Sequence, residues 1–202
     1  MNKKYKKYFR SSECRITELL AKLFGDDVKI VGAEIGVHTG KNSRRMLDRM
    51  QNLTLSCVDM WDLHAIRENV KYYTRTKGKI SKKMKDIEYG LKCHDAAKEA
   101  LVEFVDRCHI LRASSKEAAE MYDDNYFDFV YVDACHKYKE CKRDILTWIP
   151  KVKSGGYICG HDWNSKRHKG VRKAVKEVQR STVLDLVGNK NKLGEWLMGP
   201  IV

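Results

Sequence analysis

The stretch Lys29 to Ser43, KIVGAEIGVHTGKNS, decides the fold. Val28 to Ile35 is an apolar run that ends in glycine, and a helical pattern follows at once from Asn42 to Met50. A strand turning straight into a helix is the unit of a parallel sheet, whose ligands gather at the carboxyl ends of the strands. Two glycines, Gly36 and Gly40, stand in the turn behind an acid, Glu34. A dinucleotide fold needs GxGxxG so that a pyrophosphate can rest on the helix N-terminus. Val37, His38 and Thr39 fill that space here, which weakens the phosphate reading. A ligand of amino-acid type fits better: Gly36 admits close backbone approach, and Glu34 can accept hydrogen bonds from an ammonium.

Outward from this stretch, Leu53 to Val58, Cys108 to Leu111, Phe127 to Val132 and Gly156 to Cys159 read as further short strands. Helical spacing separates them at Asp95 to Val105, Lys116 to Met121, Tyr138 to Ile149 and Val171 to Val178. Alternation of this kind predicts an α/β fold, a doubly wound and mostly parallel sheet covered on both faces. The tail, STVLDLV then KLGEWLMGPIV, holds two strand-like runs around Gly188 and Asn189 with no helix between them. An antiparallel C-terminal hairpin at the sheet edge is expected.

The 202 residues suit a single domain, 1–202. Residues 1–27 read as a basic N-terminal helical extension, and 62–94 as a lid-like, partly helical insertion, too long for a plain loop. The formal charge is +13 and clustered: five Lys or Arg in the first ten residues, seven between Lys71 and Lys85, seven between Lys166 and Arg180. Such clusters attract anions, or simply solvate a surface. No apolar run could serve as a signal-peptide core or bilayer span, so a cytoplasmic protein without membrane insertion is expected. Seven cysteines without a CxxC pair read as reduced thiols.

Asp59 closes the second strand, twenty-five residues beyond Glu34, where a carboxylate can accept from both hydroxyls of a ribose. Acid, glycine pair and second acid together describe a nucleoside with an amino-acid tail. Ser114 and Ser115 stand where an adenine edge would be met; as an alternative they cap the helix that follows. At the ends of the fourth and fifth strands come Asp133 and His136, then His161 and Asp162.

AEIGVHTGKNS, LSCVDMWD, FDFVYVDACHKY and SGGYICGHDW, four motifs in order, resemble those of class I S-adenosylmethionine-dependent methyltransferases, in the group that includes macrocin O-methyltransferase. The resemblance spans about Val28 to Val178. It implies a seven-stranded sheet with a reversed last hairpin, S-adenosylmethionine as cofactor, and methyl transfer to an oxygen of a sugar or polyketide, often with a divalent metal. Carried onto this sequence, it implies cofactor contacts at Glu34, Gly36, Gly40, Ser43, Asp59, Ser114, Ser115 and Asp133.

An alcohol is a poor nucleophile at neutral pH, so its proton must go to a base or a metal must stabilise the alkoxide. Asp133, His136, His161 and Asp162 are the candidate catalytic residues, and Asp133, His161 and Asp162 the candidate ligands for magnesium or manganese. The sequence departs from the more acidic metal pattern of the family at His161. Three functions stay in play: a sugar-hydroxyl O-methyltransferase, a nucleic-acid methyltransferase using the basic surface, and a non-catalytic basic binding module on the same fold. Oligomeric state is left open. Trp61, Tyr72, Tyr73 and Trp163 are expected at the pocket rim as stacking surfaces for a sugar.

Overall fold

The structure is a computed structural model that describes residues 16–61, 80–182, 184–188 and 194–202, with side chains in its longest helix described from residue 89. Helix α1 (Ile16–Phe24) precedes β1 (Ile30–Ile35), α2 (Lys41–Arg49) and β2 (Leu53–Asp59). Then come α3 (Ile80–Leu101), β3 (Cys108–Arg112), α4 (Ser115–Ala119), β4 (Phe127–Val132) and α5 (Tyr138–Trp148). β5 (Val152–Gly160), α6 (Lys169–Thr182), β6 (Leu186–Gly188) and β7 (Trp196–Met198) complete the order.

The sheet runs β3-β2-β1-β4-β5-β7-β6. β1 to β5 pair in parallel, and β7 joins both β5 and β6 antiparallel, which gives the reversed hairpin expected of the tail. Strand order reverses at β1, between β2 and β4, the place where such sheets take ligands. Of the lid-like insertion, residues 62–79 lie outside the described residues, as do residues 1–15 of the basic extension. Ile80 to His94 are helical, so the helix expected at Asp95 to Val105 starts fifteen residues earlier and ends at Leu101.

Both faces of the sheet are buried, and alternation along β4 assigns the sides. Phe129 and Tyr131 pack with Leu19, Leu20, Met46, Leu47 and Leu101 from α1, α2 and α3. Val130 and Val132 pack with Ile145, Trp148, Val171 and Val175 from α5 and α6. A period of two serves two helical layers at once. In α6, Val171, Ala174, Val175 and Val178 are buried at helical spacing, and each valine contributes about 1.5–3 kcal/mol by leaving water. The intervening Arg172, Lys173 and Lys176 are exposed.

Register sets the level of the site. Ile35 pairs with Val58 and with Val132, and Val132 pairs with Gly160. Just beyond, the Gly36 amide donates to the Val58 carbonyl at 2.8 Å and the Asp133 amide to the Ile35 carbonyl at 2.8 Å. Gly36, Asp59, Asp133 and His161 therefore leave four neighbouring strands at one edge.

Candidate functional site

The first half of the site is the turn after β1. Gly36 has φ +96°, and a Cβ there would run into the Asp133 carbonyl oxygen, so only glycine lets β1 turn this close to β4. Glu34 is 1% exposed. Its carboxyl takes hydrogen bonds from the Asn42 amide at 3.0 Å and from the Ser43 hydroxyl. Burial is the main reason its pKa is pushed up to about 8; the Ser43 and Asn42 bonds oppose the rise and the charges of Asp133 and Asp59 add to it. Glu34 thus ties the end of β1 to the first turn of α2, just past Gly40.

Asp59 joins two loops. Its Oδ2 accepts from the His38 amide at 2.8 Å and its Oδ1 from the Trp61 amide at 2.8 Å. His38 has φ 55°, and its carbonyl accepts from the Trp61 indole at 2.7 Å. Its ring lies 2.8 Å from the Tyr89 hydroxyl and 3.4 Å from the Cys93 sulfur, both on α3. The turn between the glycines is therefore fastened on two sides before any ligand arrives. Each Asp59 oxygen keeps a second lone pair for a hydroxyl donor.

The serines after β3 are engaged in the fold. Ser114 caps α4 in a reciprocal capping box with Glu117, and Ser115 Oγ accepts from the Trp148 indole at 2.9 Å. Trp163, expected at the rim, is instead 7% exposed in the core beside Val171, with the Arg172 guanidinium 5.2 Å from its ring centre. The reason is apolar burial under α6. Trp61 is partly buried, its ring 4.4 Å from that of His94; Tyr72 and Tyr73 lie outside the described residues.

The second half gathers at the ends of β4 and β5. His136 Nε2 lies 2.7 Å from Asp162 Oδ2 and 3.3 Å from Asp133 Oδ1. The hydrogen bond to Asp133 raises the His136 pKa most; partial burial opposes it, and the charges of Asp133 and Asp162 add to the rise. His161 Nδ1 is 3.7 Å from Asp162 Oδ1. Asp162 sits at φ 63°, a conformation a non-glycine residue rarely takes, held by its carbonyl accepting from the Ser165 amide at 3.2 Å. The Trp196 indole donates to the His161 carbonyl at 3.0 Å, which fixes this corner to β7.

All four expected residues converge, and the donor atoms of Asp133, His161 and Asp162 lie within 4.8 Å of one another, close enough to share a cation. Sequence reasoning missed His168. Its ring is 4.2 Å from that of His136, and it forms a second donor set with His136 and Asp162. Its position just ahead of α6, on the loop that returns over the strand ends, was the signal available.

Residues 33–163 match the model of a family described as methyltransferase domain. Among solved structures, a Corynebacterium glutamicum protein aligns with TM-score 0.62 at 13% identity, covering 93% of this chain and 81% of that one. An O-methyltransferase from Bacillus cereus in complex with SAH aligns with TM-score 0.57 at 16% identity, over 91% and 77% of the two chains. A provisionally assigned rRNA methylase from Clostridium thermocellum gives TM-score 0.60 at 10% identity over 89% of each. Identities this low show a shared fold. An uncharacterised Sinorhizobium fredii protein is 30% identical over 66 residues, which is 33% of this chain and only 7% of that protein. With the family model covering both the Gly36 turn and the β5 corner, the chain belongs to the methyltransferase-domain family.

Proposed function

We propose that the protein is an S-adenosylmethionine-dependent O-methyltransferase acting on a hydroxyl of a sugar or glycan, as in the macrocin O-methyltransferase group. The observation that carries the reading is the His136 imidazole placed against Asp133 and Asp162, in the loops past β4 and β5 and beside the Gly36 turn. S-adenosylmethionine, when bound, supplies a methyl group activated by a sulfonium charge. Gly36 leaves room along the backbone for its methionyl end, and Asp59 offers its free lone pairs to the ribose.

With Nε2–H donating to the carboxylates, an acceptor hydroxyl beside His136 gives up its proton to the other ring nitrogen, Nδ1, as the oxygen attacks. The imidazolium so formed meets two carboxylates, which lowers the cost of the charge. A divalent cation, magnesium or manganese, fits the donors of Asp133, His161 and Asp162 and would polarise the acceptor oxygen as a Lewis acid. Asp133 stands at the border of both halves and fixes the distance between them.

Labelled cofactor, a panel of methyl-free glycosides and graded divalent ions test the reading together. Transfer to a glycoside should fall about 10²-fold to 10⁴-fold in His136→Ala and be restored after chelation by manganese or magnesium. Transfer to no glycoside, with SAH giving no binding heat, would refute it.

A second reading, methylation of RNA, draws on the exposed Lys139, Arg143, Arg172, Lys173 and Lys176 of the neighbouring α5 and α6. Phosphate contacts make affinity fall steeply with salt. Labelled RNA that is methylated and held only at low ionic strength would favour it over the glycan.

A further inference from the structure

We infer that His136, Asp162 and His168 form a binding site for a borderline transition-metal ion of the zinc or cobalt type, and that this ion switches off proton transfer at His136. The site shares residues with the proposed acceptor site but differs in donor chemistry. Two imidazoles and one carboxylate select zinc, cobalt or iron, whereas magnesium prefers oxygen ligands throughout.

Backbone contacts hold the chain segments that carry the three donors against one another. Gly170 brings the start of α6 against the chain after β4: a Cβ there would lie 2.7 Å from the His136 carbonyl oxygen and 2.7 Å from the Tyr138 nitrogen. The His168 amide donates to Ser165 Oγ at 3.1 Å, and the Ser165 amide to the Asp162 carbonyl at 3.2 Å, so one short loop fixes two of the ligands relative to each other. The imidazoles of His136 and His168 lie 4.2 Å apart between centres, tilted by 32°, and the three donor atoms fall within 4.8 Å of one another. All three residues are partly exposed, which leaves an entry path for the ion.

Asp162 separates the two donor sets. Its Oδ2 faces His136 and its Oδ1 lies toward His161. A metal on the His136 side takes the lone pair that would receive the acceptor proton. The ion is therefore an inhibitor, competing with a proton, while a magnesium-type ion at Asp133, His161 and Asp162 is not.

The test uses the whole chain, freed of metal by chelation. Cobalt(II) chloride is titrated while the visible d–d bands are followed, and zinc chloride by calorimetry, for wild type, His168→Gln and His168→Asn. One strong equivalent is expected in wild type, unaffected by excess magnesium, with affinity tenfold or more weaker in both variants. Equal affinity and spectra in folded variants, or no binding in wild type, would overturn the site. If neither variant folds, wild-type imidazole NMR decides: zinc should shift the His136 and His168 ring signals together, and a shift confined to His161 would overturn it. The inhibition arm rests on the proposed role of His136. Micromolar zinc should suppress methyl transfer in wild type and spare His168→Gln, and equal suppression in both would overturn the switch. Absence of methyl transfer under every condition would refute the proposed function while the cobalt and zinc titrations still decide the site.

Discussion

Replacing Glu34 by glutamine should stabilise the protein at neutral pH, although it removes a carboxylate hydrogen-bonded to two partners. In the folded protein the Glu34 pKa is pushed up from 4.5 to about 8, chiefly by burial, so at pH 7 the folded state holds this carboxyl protonated and the unfolded chain holds it ionised. A raised pKa places the full stability below pH 4.5 and loses it as pH rises toward 8. The loss is about 1.4 kcal/mol per pH unit, about 3 kcal/mol at pH 7 and about 5 kcal/mol above pH 8. Against a usual total of about 5–15 kcal/mol, this is a large fraction.

Glutamine matches the protonated acid. Its Oε1 can accept from Asn42, whose own Oδ1 is occupied by Arg45 at 3.2 Å, and its Nε2 can donate to Ser43 Oγ. Denaturant unfolding of both proteins at pH 5, 6, 7 and 8 reads the difference directly. Near pH 5 the two should be similar, and by pH 8 the variant should be ahead by several kcal/mol. A constant difference at every pH, or a variant that falls behind as pH rises, would show that Glu34 is ionised in the fold.

Asp59→Asn turns one acceptor into a donor against a backbone amide of His38 or Trp61 and should cost about 2 kcal/mol, with SAH affinity falling alongside in calorimetry. For a chain of this size the melting temperature should drop by about 6 °C; an unchanged melting point would show that the loops do not depend on the carboxylate. Gly36→Ala meets both a left-handed backbone and the Asp133 carbonyl, and about 3 kcal/mol should be lost. Denaturant midpoints check it, and a wild-type midpoint would mean that β1 and β4 can part without cost.

Strand positions were legible because β1, β2 and β4 are buried on both faces and leave nearly unbroken apolar runs in the sequence. Asp59, Asp133, His136, His161 and Asp162 were legible for a related reason: each is a polar residue at or just past such a run. Helix α3 was legible as a helix only from Asp95 on, because Lys82, Lys83, Lys85 and Tyr89 keep no clean apolar stripe before Ala97 and Leu101 pack onto α2. His168 escaped because it approaches His136 through the return path of a loop, set by the missing side chain of Gly170. Trp163 misled because an aromatic beside a charged motif looks accessible, and only the tertiary position of α6 buries it. At Glu34 the acid was legible, but not its hydrogen bonds to Asn42 and Ser43, which form only when β1 packs against the first turn of α2.

The pairing of β1 with both β2 and β4 separates two kinds of change the molecule can undergo. Gly36 and Asp59, suited to a nucleoside, hang from β1 and β2, and His136, His161 and Asp162, suited to proton or metal chemistry, follow β4 and β5. The two sets meet where β1 pairs with β4, at the Gly36 and Asp133 contact and at the Asp133 amide's bond to the Ile35 carbonyl. Loops after β4 and β5 can then be exchanged for those of another member of the fold, altering which acceptor is methylated, with the nucleoside end left intact. Designed chimaeras should therefore be cut after Val132 and Gly160, with Asp133 carried along as the shared gauge of length.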